Sequence, residues 1–311
     1  MDVQHLPVVE APDADAAVRA WEERCAVSHA GHFRPMRPDA IAFTRPSKPL
    51  HGMRVMVASS GGVHTVDQPP FDLESHAGDD TVRWIAGDTD PRDLLFADDH
   101  YDHGDADADP NCMFPLERLR ELADEGIIGS VASHHLGFMG FIPDPRRWVD
   151  RVVPDVVERL QQDGVDAVIL GPGCPMCHRT VALAQNRIEA AGIATVSLSL
   201  APSLTLGFGV PRALHVRFPF GNTFGEPDDR WTQRAIVKSL LARLHEAQAA
   251  NTMLRLPYSW STKAVPEDQD DCVDGACFVP RSARPRPSPG AYRDHHAGDH
   301  DAGDHVKEGD L

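Results

Sequence analysis

The stretch from Val165 to Ala191 constrains the fold more than any other part of this chain. Val165-Asp-Ala-Val-Ile-Leu170 is a short, mainly apolar run, Gly171-Pro-Gly173 interrupts it, Cys174-Pro-Met-Cys177 follows, and apolar residues continue at helical spacing to Ala191. That order reads as a buried strand, a tight loop and a helix that stops at Gly192. Further strand candidates are Met53–Ala58, running into Ser59-Ser-Gly-Gly62, and then Val82–Ile85, Ile193–Leu198 and Arg212–Phe218. Helices are expected over Asp13–Ala30, from Leu116 to a stop at Gly126, over Pro145–Asp163 and over Asp228–Ala250. Strands and helices alternating at these lengths predict an α/β fold, a mainly parallel, doubly wound sheet with helices on both faces. Sites in such sheets lie at the carboxyl ends of strands, where both Ser59–Gly62 and Gly171–Cys177 would fall.

Around that core the composition changes. Residues 1–52 read as a helical arm followed by a connection carrying Pro35, Pro38, Pro46 and Pro49; residues 53–255 form the α/β core. Residues 256–311 read as a tail, Pro/Arg-rich and then His/Asp-rich, with too few apolar side chains to offset chain entropy. Its His295, His296, His300 and His305 leave weak metal scavenging as the alternative to a solvated segment. A formal net charge of −17, with no gathered Lys and Arg, argues against nucleic acid as a partner. No run reaches membrane-spanning length, and the acidic segment Met1–Ala17 does not read as a secretory signal. Six cysteines in 311 residues are too sparse for a disulfide framework, so free thiols in a reducing, cytoplasmic setting are expected.

Cys174 and Cys177 are placed at the amino terminus of a helix, whose partial positive charge lowers a thiol pKa, and the neighbouring His178 offers a further charge for a thiolate. With two residues between them, one sulfur reacts and the other resolves the product as a disulfide. Two other readings stay open for the pair: half of a zinc site completed by Cys272 and Cys277, or structural thiols. Cys25 and Cys112 read as buried, inert thiols and His134-His135 as structural. Six carboxylates crowd into Asp98–Asp109, interleaved with His100 and His103. His100, His103, Asp105, Asp109 and Asn111 are candidates for binding a small polar substrate or a divalent metal. An EF-hand is excluded, because Pro110 replaces the turn glycine and Leu116 stands where the bidentate Glu belongs.

Several of these segments, taken in order, resemble component B of the glycine, sarcosine, betaine and D-proline reductases. They are Gly61-Gly-Val-His64 with Gln68-Pro-Pro-Phe71, His100-Tyr-Asp-His103 through Asn111, Gly126-Ile-Ile-Gly129 and the Cys174-x-x-Cys177 helix, together covering about Met53 to Pro227. The resemblance implies an oxidoreductase that cleaves a carbon–heteroatom bond reductively, a selenolate or thiolate attacking carbon and a second chalcogen closing the oxidised pair. Gly61, Gly62 and His64 would form the supporting loop. Those reductases carry selenocysteine in or beside the motif, whereas none stands here: the position would be Gly171 on the glycine-reductase pattern and Cys177 on the proline-reductase pattern. The second preserves a two-chalcogen site, with attack by Cys177 and resolution by Cys174. The resemblance further implies a separate pyruvoyl-bearing partner subunit and an external dithiol or thioredoxin-like reductant; a homo-oligomer is expected. The Gly-Cys-Pro ending of the strand is also similar to the strand-end cysteine of aspartate/glutamate racemases, whose architecture is comparable. Racemisation needs two opposed acid–base groups, and these cysteines share one loop. The competing expectation is a metal-binding protein that uses the His/Asp-rich loop or the cysteine pair without turnover.

Overall fold

The structure, a computed structural model, describes residues 3–261 and Val265. The tail from residue 266 on, with Cys272, Cys277 and the four tail histidines, lies outside the described residues. The first half of the chain forms α1 (Ala14–Ser28), β1 (Arg54–Ser59), β2 (Val63–Thr65), β3 (Val82–Ala86), β4 (Leu94–Phe96), α2 (Gly104–Ala108), α3 (Leu116–Asp124), β5 (Ser130–Val131) and β6 (His134–Phe138). The second half forms α4 (Val153–Gln162), β7 (Ala167–Gly171), α5 (Pro175–Ala190), β8 (Ala194–Ser199), α6 (Pro202–Phe208), β9 (Arg212–Arg217), α7 (Arg230–Glu246) and β10 (Thr252–Ser259).

Eight strands build the main sheet in the order β10-β9-β8-β7-β1-β6-β3, with β5 pairing β1. The pairs of β1 with β5, β6 and β7, and those running outward from β7 to β10, are parallel; β3 alone runs antiparallel, against β6. The connection leaving β1 heads toward β3 and β6, whereas the one leaving β7 heads toward β8. The winding therefore reverses between β1 and β7, whose carboxyl ends stand side by side with Ser59 opposite Gly171. Alternation along β1 shows that both faces are covered. Val55 and Val57 join one apolar cluster with residues of α1, α3, α6 and α7, while Met56 and Ala58 join a second with α4 and much of α5. The doubly wound α/β fold expected from the alternating pattern is the observed one.

The amino-terminal segment is packed into the first cluster through Val3, Val9, Val18, Trp21, Cys25 and Phe33. Trp21 meets Phe33 and Phe208 edge to face at 5.7 and 5.4 Å, and Val8 bridges Leu254 of β10. The proline-rich connection is held by α5: Ala42 donates to Asn186 at 2.9 Å, and Arg212, in an ion pair with Glu189 at 3.3 Å, also donates to the Thr44 carbonyl at 2.7 Å. Local departures from expectation have local causes. The helix expected over Pro145–Asp163 begins as a π turn at Trp148–Val152 and becomes regular only at Val153, next to Pro154, which has no N–H to donate. Strand β10 runs four residues past Arg255, because it pairs in parallel with β9.

His135 of β6 is fully buried, accepts the Val57 N–H on Nδ1 at 3.0 Å, and burial pushes its pKa down to about 3. Burial likewise takes His178 down to about 4. Both groups hold protons less tightly folded than unfolded, where histidine titrates near 6.5. Their contribution to stability is complete above about pH 6.5 and is lost as pH falls toward 4. The thermal midpoint should stay level from pH 8 to 7 and then drop steeply. In His135→Asn, whose side-chain oxygen can take the Nδ1 place, the drop should be shallower, as differential scanning calorimetry across pH would show.

Candidate active site

Both tight loops predicted for the strand ends meet at the reversal of the sheet. Ser60 joins them: its N–H and hydroxyl donate to the Gly171 carbonyl at 3.0 and 3.3 Å, and its Oγ accepts the Gly173 N–H at 3.2 Å. Its own carbonyl accepts from Gly140 N–H at 2.8 Å and from the Cys177 thiol at 3.7 Å. Gly62 makes the turn with φ +68°, and a Cβ there would fall 2.4 Å from the Ala97 carbonyl oxygen. His64, buried beside it, pairs Nδ1 with the Gly62 carbonyl at 3.1 Å, and burial lowers its pKa. The expected supporting loop of Gly61, Gly62 and His64 thus underlies the cysteines' end of the sheet.

Cys174 caps α5: its backbone is extended and its sulfur accepts the Cys177 N–H at 3.3 Å, with Pro175 in the first turn. The two sulfurs are 2.7 Å apart, in contact as free thiols, and the residues are 1% and 0% exposed. Gly140 presses on Cys177 so closely that a Cβ would sit 2.4 Å from Sγ. Tyr101 packs on the loop, where a Cβ at Gly173 would lie 2.8 Å from its ring, and donates to the Gly61 carbonyl at 2.8 Å. Above them the segment after β9 docks on the loop, through Gly221 N–H to the Gly173 carbonyl at 3.0 Å and the Thr223 hydroxyl to the Pro172 carbonyl at 2.5 Å.

The helix terminus does not lower the Cys174 pKa. Burial pushes that thiol well above the usual thiol range, Cys177 and the charge on Asp98 add to the rise, and the cap hydrogen bond opposes it only in part. His178 is no thiolate partner either. Its Nδ1 pairs with the Cys174 carbonyl at 2.7 Å and its Nε2 accepts the Leu200 N–H at 3.0 Å, so a neutral ring braces the loop.

The acidic segment separates into two groups. Asp109 turns away from the cysteines: one carboxylate oxygen accepts from the N–H and side-chain amide of Asn111 at 3.0 and 2.9 Å, the other from Asp228 N–H at 3.0 Å and Gln233 at 2.6 Å. Asn111 also donates to Glu117 at 2.6 Å, and His103 pairs with Asp107 at 2.8 Å across α2. Asp109 and Asn111, expected to line or support a substrate site, tie the loop to α7 and α3. His100 goes elsewhere, with Asp98 and Asp99, which were not among the candidates: all three are buried, with a polar atom of each inside 4.8 Å. A cavity of about 200 Å³ opens beside them, lined by His100 but not by His103, Asp105, Asp109 or Asn111. Cys25 and Cys112 are buried thiols, as expected, with burial raising both and Cys25 reaching about 12. Ser60 and Tyr101 stand inside segments the sequence singles out, Ser59–Gly62 and His100–His103, though not among its candidate site residues; Gly140 and the 219–225 segment lie outside those segments. Only the last had a usable signal, its Pro-Phe-Gly-Asn-Thr-Phe-Gly run directly after a strand at the site edge.

Two buried cysteines thus stand side by side at the winding reversal of a mainly parallel α/β sheet. The chain belongs to the glycine/sarcosine/betaine reductase selenoprotein B (GRDB) family. Residues 32–173 match that family's model. The D-proline reductase subunit gamma of Acetoanaerobium sticklandii is 35% identical over 74% of this chain and 94% of its own length. The glycine reductase complex component B subunit gamma of Symbiobacterium thermophilum and the betaine reductase complex component B subunit beta of Peptoclostridium acidaminophilum are each 28% identical, over 66% and 64% of this chain. The chain spans about half the length of these last two, 49% and 46%. No solved structure matches it.

Two outcomes follow from the geometry. Asp109→Ala should cost about 3 kcal/mol, because it strands buried donors on three residues; urea denaturation measures this. Iodoacetamide should modify Cys174 in the reduced protein far more slowly at pH 7.5 than it modifies free cysteine, with a rate still rising above pH 9. Rapid modification at neutral pH would contradict the burial found here.

Proposed function

We propose that the chain is the dithiol-bearing subunit of a reductase, with Cys174 and Cys177 cycling between thiols and a disulfide. The observation that carries this is the 2.7 Å contact of the two sulfurs at the capping turn of α5, beside the winding reversal of the sheet. Two thiols release two electrons and two protons as they close. A carbon–heteroatom bond of a small polar substrate accepts them, one proton going to carbon and one to the departing group. Cys177 attacks and Cys174 resolves. The roles follow the motif position in the family resemblance; a sulfur already in contact needs no chain movement to close the pair.

The relatives' names, which place them as subunits of reductases of D-proline, glycine and betaine, support a small amine or amino acid as substrate. They also support partner subunits; a pyruvoyl-bearing one would supply the electron sink for an amine. An external dithiol or thioredoxin-like protein restores the thiols. Mild oxidation of the full chain should yield a Cys174–Cys177 disulfide by mass spectrometry, and Cys174→Ser and Cys177→Ser should each abolish dithiol-dependent turnover with the fold retained. Full activity in both variants, or a stoichiometric metal that shields both thiols from alkylation, would overturn this reading.

A further inference from the structure

We propose that His100, held by Asp98, is the acid–base group of the cysteine pair, moving protons between the thiols and the small molecule in the adjoining cavity. This rests on the dithiol reading above. That reaction must move two protons out of a place solvent does not reach, since Cys174 and Cys177 are 1% and 0% exposed. A carrier with one face to the cavity and a fixed protonation pattern is required.

His100 is built for that task. One oxygen of Asp98 accepts both the ring Nδ1–H at 2.7 Å and the backbone N–H of the same residue at 2.9 Å. Because a carboxylate only accepts, Nδ1 carries the proton in the neutral ring and Nε2 is the basic nitrogen. The ring lies flat on Phe141, with centroids 3.8 Å apart and planes at 17°, so its orientation is set before any substrate arrives. Other buried histidines are occupied differently: His64, His135 and His178 each give a ring nitrogen to the backbone.

The cavity stops short of the sulfurs, since neither cysteine lines it. His100 lines it with His29, His76 and Asp99, and Met139 and Phe141 form its apolar wall. Gly140, between those two wall residues, is the glycine that lies against Cys177. One residue without a side chain therefore separates the cavity from a reacting sulfur. Asp98 is near enough for its charge to oppose ionisation of both Cys174 and Tyr101. Proton uptake by His100 offsets that charge, which couples loss of a thiol proton to its arrival on the imidazole. Asp98 acts as a positioning residue and His100 as the carrier.

Hydrogen peroxide tests this without knowledge of the substrate. A thiol sulfur attacks one peroxide oxygen, the other oxygen leaves as water with a proton from the carrier, and the second thiol displaces a second water as the disulfide closes. Two thiols and one peroxide become one disulfide and two waters. Rates of Cys174–Cys177 closure in the reduced full chain are followed by quenching and mass spectrometry. His100→Gln should close the pair about 100-fold more slowly than wild type at an unchanged melting temperature. His100→Ala should regain at least about tenfold when imidazole, which fits the vacated ring and the cavity, is added. Should His100→Gln lose its fold, Asp98→Asn, which keeps the ring but loosens its hold, takes its place and should be slowed in the same sense. A wild type that does not form the disulfide would sink the dithiol reading itself. A wild type that forms it, with His100→Gln equally fast or His100→Ala indifferent to imidazole, would remove the carrier alone.

Discussion

Ser60 is where the structure of the site is decided. Its amide and hydroxyl bind the end of β7, its Oγ receives the Gly173 amide, and its carbonyl receives both the Gly140 amide and the Cys177 thiol. Three chain segments far apart in sequence are thereby set in register within a hydrogen-bond length. Because buried backbone groups must find partners, the strand ends cannot splay without leaving donors unpaired. The cysteine pair inherits its position from that requirement rather than from contacts of its own.

Electrostatics at the pair runs opposite to the common expectation for a cysteine at a helix start. The partial charge of a helix terminus is worth a fraction of a kcal/mol to about two, whereas removing a thiolate from water costs several. With both cysteines buried and Gly140 packed against Cys177, burial prevails and Cys174 keeps its proton. A thiol that keeps its proton is a weaker nucleophile than a thiolate. His100, paired with Asp98, lines a cavity beside this buried region.

The rest of the architecture holds this arrangement rigid. Both faces of β1 are covered by helices, Arg212 and Glu189 are paired in a fully buried position, and the amino-terminal segment closes on α6 and β10. Asp109 shows how the acidic loop serves that rigidity: of four accepted hydrogen bonds, two from Asn111 order the loop, one from Gln233 ties it to α7, and one comes from the N–H of Asp228, whose φ is 61°.

Much of the fold could be read from the chain alone. The strand, loop and helix from Val165 to Ala191, the buried strand before Ser59 and the doubly wound class follow from apolar periodicity and glycine placement, which are local in the chain. So does the Cys174–Cys177 pair at a helix start. Strands such as β6 and β10 escaped because His134-His135 and the mixed run from Thr252 gain their strand character from neighbours they pair with. The fates of the acidic residues could not be read at all. Asp98, Asp99, His100 and Asp109 lie within a dozen positions and share one composition, yet Asp109 turns to α7 while the others meet Phe141 and the cavity. Which side chain faces which neighbour is set by long-range packing, and whether a thiol ionises is set by the burial that packing imposes; neither is a property of residue type and spacing.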